Sequence, residues 1–122
     1  MKIHQLGEMD NTTLNKKYQD TSRIYLALGE LSKAKDFLDS SLDNLDEDTK
    51  QDQKQMTYIY FDKGCVCFLL GDVLSAIDYY KIAIKSSLVV YPDGSEITAL
   101  CINNLGIAQR KADDDGKAGE SF

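Results

Sequence analysis

The sequence predicts an all-α chain, a single domain of about two and a half antiparallel helix-turn-helix hairpins. Three observations predict it. A set of glycines and small residues recurs in phase every 42 residues. Between those marks, apolar residues fall at the spacing of one helix face. A single Pro, no Trp, and Ala, Leu, Lys, Asp and Ser throughout favour helix over sheet.

The repeat is clearest at two turns. These are Leu28-Gly29-Glu30-Leu31-Ser32-Lys33-Ala34 and Leu70-Gly71-Asp72-Val73-Leu74-Ser75-Ala76, whose glycines and alanines stand 42 residues apart. The same step carries Ser22 to Gly64 and Gly106, and carries Tyr18 to Tyr60 and Ile102. The first hairpin is predicted from about Leu14 to Leu28 and from about Ser32 to Leu45, with Tyr18, Ile24, Tyr25 and Leu28 on its apolar stripe. The second runs from about Gln55 to Leu70 and from about Val73 to Tyr91, with Ala76, Ile77, Tyr80, Ile84 and Leu88 at helical spacing. A last first helix is predicted from about Glu96 to Arg110. Repeat one thus covers about 15–56, repeat two about 57–98 and a partial third about 99–122, with 1–14 as the tail of a preceding repeat or an N-terminal extension.

Gly29 and Gly71 suit helix C-termini, where the backbone turns left-handed. Asp72 and Ser75 suit the next helix start. Pro92-Asp93-Gly94-Ser95 is a turn, with Ser95 as an N-cap. Ser22, Gly64 and Gly106 are expected where the two helices of a hairpin approach closely, facing Ala34, Ala76 and Ala118. Close packing would explain a helix-interior Gly, which costs about 1 kcal/mol relative to Ala.

These residues resemble the tetratricopeptide repeat. Copy two carries its signature at Tyr60, Gly64, Gly71, Ala76, Tyr80 and Ala83. Copy one carries Tyr18, Tyr25, Gly29, Ala34 and Leu38, with Ser22 and Ser41 where the family prefers Gly and Ala. Copy three has Leu105-Gly106, and Ala118 and Phe122 fall at second-helix offsets, although Ala112-Asp113-Asp114-Asp115-Gly116 and Gly119 make a poor helix. The 42-residue period is similar to the kinesin-light-chain type of this repeat. The resemblance implies a right-handed α-solenoid. Both ends read as cut within a repeat.

Composition excludes several functions. The formal net charge of −6 and pI near 4.6 disfavour nucleic acid and anionic membranes as partners. No stretch has the length and apolarity of a membrane span, and MKIHQLGEMD lacks a signal-peptide core. Three Cys inside helical patterns read as reduced thiols, which points to the cytoplasm. One His, His4, supports no His-based dyad or metal cluster. Cys65 and Cys67 lie two apart on a helix and point to different faces, a poor metal pair, and Cys67 reads as a small core residue. Asp43, Asp46, Glu47, Asp48 and Asp52 lack the Gly and spacing of a calcium loop and read as a solvated linker. The expectation is a non-enzyme without metal or cofactor.

By repeat position, the resemblance implies a concave face lined by the first helices, and this is the expected partner-binding face. Copy one supplies Lys16, Gln19 and Arg23. Copy two supplies Tyr58, Phe61, Asp62, Cys65 and Phe68. Copy three supplies Leu100, Asn103, Asn104, Ile107 and Arg110. The resemblance places Asn104 to hydrogen-bond a peptide backbone, since an amide both donates and accepts; the alternative is a solvated or capping Asn. Tyr58, Phe61 and Phe68 form either an apolar floor for a partner or packing between first helices. Lys16, Arg23 and Arg110 give either a basic groove for an acidic peptide or ordinary surface charge. The carboxylate clamp of chaperone-binding relatives is absent, because its positions hold Gln19, Arg23, Asp62, Leu100 and Asn104. The expected function is a protein-interaction adaptor or scaffold. The alternatives are self-assembly through uncapped repeat ends, with Leu6, Met9 or Phe122 at the junction, and a regulatory peptide-sensing domain.

Overall fold

The computed structural model describes residues 11–43, 45, 46 and 48–120, with side chains for 17, 19–43, 45, 46 and 48–116. His4, Leu6, Met9 and Phe122 lie outside the described residues, as do the side chains of Lys16, Tyr18 and Ala118. Among the described residues there are five α-helices and no strand. They are α1 (Asn11–Ala27), α2 (Leu31–Leu42), α3 (Lys50–Leu69), α4 (Val73–Val90) and α5 (Glu96–Glu120).

The two tight turns share one geometry. After α1, Glu30 N donates to Tyr25 O and Gly29 N to Leu26 O. After α3, Asp72 N donates to Cys67 O and Gly71 N to Phe68 O. This paired closure satisfies carbonyls at the helix end and requires a left-handed residue between them. Gly29 and Gly71 supply it, at φ of 80° and 89°. The residue after each glycine then starts the next helix: Glu30 before α2, and Asp72, whose side chain accepts from Ser75 N, before α4. A third left-handed glycine, Gly94, closes the turn into α5.

α1 begins three residues before the expected start and α2 ends three before the expected end, and two further boundaries differ more. α3 begins at Lys50 rather than Gln55, because Thr49 caps it by accepting from Asp52 N. Asp52 in turn accepts from Asp46 N, so part of the acidic linker is the cap of a helix. The larger difference is at α5. One step beyond Leu28-Gly29-Glu30 and Leu70-Gly71-Asp72 the chain reads Ala112-Asp113-Asp114. No glycine is there to turn left-handed, so the helix runs on to Glu120, with a Lys111–Asp115 pair at 3.1 Å along it. The second helix expected to carry Ala118 does not form, and Ala118 belongs to α5.

Consecutive helices pack on each other along the chain, and α1 and α5 each also touch α3. The α2–α3 core is Ala34, Leu38, Ile59 and Val66, all buried. The residues 42 positions on, Ala76 and Tyr80 of α4 and Cys101 and Ala108 of α5, are buried as well. The outer stripes depart from expectation: Ile24 and Leu28 on α1 and Leu88 on α4 are exposed, and Ile102 on α5 is 54% exposed. No described helix precedes α1 or follows α5 to cover Ile24 and Ile102.

The glycine expectation holds at one position and fails at another. At Gly64 a Cβ would sit 2.5 Å from the Tyr80 ring, so the ring fills the space a side chain would need. At Gly106 nothing approaches, because no second helix packs there. A buried cation joins the hairpins on the other side of α3. Lys63, 6% exposed, bonds Asp39 of α2 at 2.6 Å and lies 4.4 Å from the Tyr79 ring centroid. Burial alone would push this ammonium down. Asp39 and Tyr79 outweigh it and hold the group above its ordinary value.

Candidate functional site

On α3, Tyr58, Asp62, Cys65 and Leu69 follow one another at steps of four, three and four, so they share one side of the helix. That side meets α1 through Asp62 and α5 through Cys65. The result is a face shared by α1, α3 and α5, with a depression in each seam.

The α1–α3 depression, about 270 Å³, is lined by Gln19, Asp20 and Arg23 on α1 and by Gln51, Lys54, Gln55 and Tyr58 on α3. At its edge Asp62 is only 12% exposed at the side chain. Its Oδ2 accepts from Gln19 Nε2 at 3.0 Å and from Arg23 Nε at 3.3 Å. Burial raises the Asp62 carboxyl above the ordinary range, and the two donors offset this only in part.

The α3–α4–α5 depression, about 240 Å³, is lined by Cys65, Phe68, Leu69, Tyr80, Asn104 and Ile107. The Tyr80 hydroxyl donates to Cys65 Sγ at 3.4 Å, and Asn104 Nδ2 reaches the same sulfur at 3.7 Å. Burial pushes the Cys65 thiol up, and it pushes the Tyr80 phenol far up, with Cys65 adding to the effect. Cys101, packed behind, is pushed up to about 11, chiefly by burial. These thiols are neutral at pH 7, which suits packing and weak hydrogen bonding rather than nucleophilic attack.

Most of the expected face is brought together. Gln19, Arg23, Tyr58 and Asp62 gather at the first depression, and Cys65, Phe68, Asn104 and Ile107 at the second. Asn103, Leu100 and Arg110 are exposed on α5 and line neither. Two placements bear on the alternatives. Phe61 is half-buried, its ring 6.1 Å from Tyr80 and packed near Cys101, as the packing alternative has it. Arg23 is paired with Asp62 at 3.3 Å while half exposed, and Lys54 lines the same seam. Tyr80 was not expected at the site. It reaches it only by crossing Gly64, and the mid-helix glycine was its signal in the sequence. Lys63 was missed too, although it sits in the buried stripe Met56, Ile59, Val66.

Among the described residues no group of three or more His, Cys, Asp or Glu side chains could hold a metal, and no helix is long and apolar enough to cross a membrane. Compared with family models, with curated proteins and with solved structures, the chain matches none.

Proposed function

We propose that this chain is a non-catalytic, tetratricopeptide-type helical repeat module that binds a protein or peptide partner along the face shared by α1, α3 and α5. The observation that carries this reading is the stripe Tyr58, Asp62, Cys65 and Leu69, which meets one depression on each side. The repeat reading draws on the two matching glycine turns and on the buried residues of α2–α3 and α4–α5, both related by a 42-residue step. In a right-handed solenoid of such hairpins, this face is the concave one. The acidic balance disfavours nucleic acid as the partner, and free thiols at Cys65, Cys67 and Cys101 suit a reducing cytoplasm.

The test is selection of binding peptides from a random library against the full chain, followed by affinity measurements on variants. Asn104→Ala in one seam and Lys54→Glu in the other are expected to weaken selected peptides tenfold or more with Tm unchanged. Ile102→Glu, on the opposite side of α5, is expected to change nothing. If both seam variants bind normally, the partner uses another surface.

A further inference from the structure

The α3–α4–α5 depression differs in kind from its neighbour. The α1–α3 seam is ringed by Asp20, Arg23 and Lys54, whereas no charged side chain lines this one. Its walls are Phe68, Leu69 and Ile107. The Tyr80 hydroxyl and one Asn104 N–H are already on Cys65 Sγ. A charged or strongly polar guest would lose its water there and find no counter-charge, while an apolar guest loses nothing. The volume, about 240 Å³, falls below the roughly 300–1,000 Å³ of pockets that enclose a whole small ligand. It suits one side chain. At the rim, the Asn104 carbonyl oxygen and second N–H are of the kind that pairs with a peptide unit.

We infer that this depression is an anchor pocket for a single large, uncharged, apolar side chain, aliphatic or aromatic, carried by the partner peptide. The inference rests on the binding face proposed above and names what one seam of it selects. The pocket exists because Gly64 lets the Tyr80 ring cross α3 and present its hydroxyl as part of the floor. Neutral thiol and phenol groups keep that floor uncharged across the physiological range.

The experiment titrates the 15N-labelled full chain with N-acetyl-leucine methylamide, the alanine and glutamate counterparts, and 3-methylbutan-1-ol, which has the side chain without the peptide unit. The leucine probe is expected to give saturable shifts at the backbone amides of Cys65, Leu69 and Ile107 and at the Asn104 side-chain amide. Alanine should bind about tenfold or more weakly, given the methylene groups lost, and glutamate should not bind. Ile107→Arg and Leu69→Asn, both at exposed rim positions, should abolish the leucine response while leaving the circular dichroism unchanged. Equal responses to leucine, alanine and glutamate, shifts outside the pocket, or no saturable response would each overturn the assignment. Equal binding of the alcohol would overturn the peptide side chain as the natural occupant. A selected peptide that depends on Lys54 but not on Ile107 would sink this pocket and leave the wider binding face standing.

Discussion

Helices α3 and α5 occupy the same register 42 residues apart, yet α3 is covered on both sides and α5 on one. Toward α4, helix α3 presents Tyr60, Phe61, Gly64, Cys67 and Phe68. The same positions on α5 hold Ile102, Asn103, Gly106, Gln109 and Arg110, all exposed. α1 shows the converse on its other side. Its Lys17 and Ile24 face solvent where α3 buries Ile59 and Val66 against α2. Residues 42 apart therefore lie on matching faces, and composition decides whether that face receives a helix. Among the described side chains of these outer faces, Ile24 and Ile102 stand exposed beside Lys17, Asn103, Gln109 and Arg110.

The largest expected effect contrasts two buried positions one step apart. Ile59→Ala should cost about 2–5 kcal/mol, and Cys101→Ala roughly 1 kcal/mol because it removes a single atom. Urea unfolding of both variants measures the difference, and comparable losses would mean the two seams are packed alike.

Next in size is a pair of opposite sign. Gly64→Ala should destabilise by about 1–3 kcal/mol, since the Cβ forces the Tyr80 ring out of place. Gly106→Ala should stabilise by about 1 kcal/mol through helix propensity alone, with open space around it. The same sign at both positions would show that a helix covers Gly106 in solution, or that none covers Gly64.

A smaller effect concerns pH. Asp62 has its folded-state pKa raised, chiefly by burial, so the folded chain takes up this proton before the unfolded chain does. Its ionised form costs stability above that pKa, and the cost is relieved as pH falls through it. Wild type should therefore gain on Asp62→Asn between neutral and acidic pH, read as a closing or reversing gap in urea midpoints. A gap that widens against wild type on acidification would mean that Gln19 and Arg23 outweigh burial.

The smallest expected effect is no change at all. With Lys17, Asn103, Gln109 and Arg110 beside the exposed Ile24 and Ile102 on the outer faces of α1 and α5, light scattering should give the mass of one 13.7 kDa chain at every concentration. Mass that rises with concentration and falls back in Ile102→Glu would favour self-assembly through the repeat end.

Much of the fold was legible because its signals are local. Gly29, Gly71 and Asp72 act on their own backbone or the next turn, so spacing alone locates them. The run-on of α5 to Glu120 was half legible: 112–119 reads as a poor second helix, and Asp113 stands where the two formed turns have Gly29 and Gly71. Half of the site was legible from the helical period of α3. What was not legible depends on pairs far apart in sequence: Arg23 on Asp62, Lys63 on Asp39, and Tyr80 over Gly64. Each joins residues whose meeting is decided by how helices cross, which no single segment encodes.

The central claim is that partners bind the face shared by α1, α3 and α5. Its most direct test is an amide-shift map of the labelled chain with a library-selected peptide bound. The account predicts shifts concentrated at Gln19, Tyr58, Cys65, Asn104 and Ile107, with Lys35, Lys81 and Leu88 on α2 and α4 undisturbed. Shifts concentrated on α2 and α4 instead, with Asn104 and Cys65 unmoved, would contradict it.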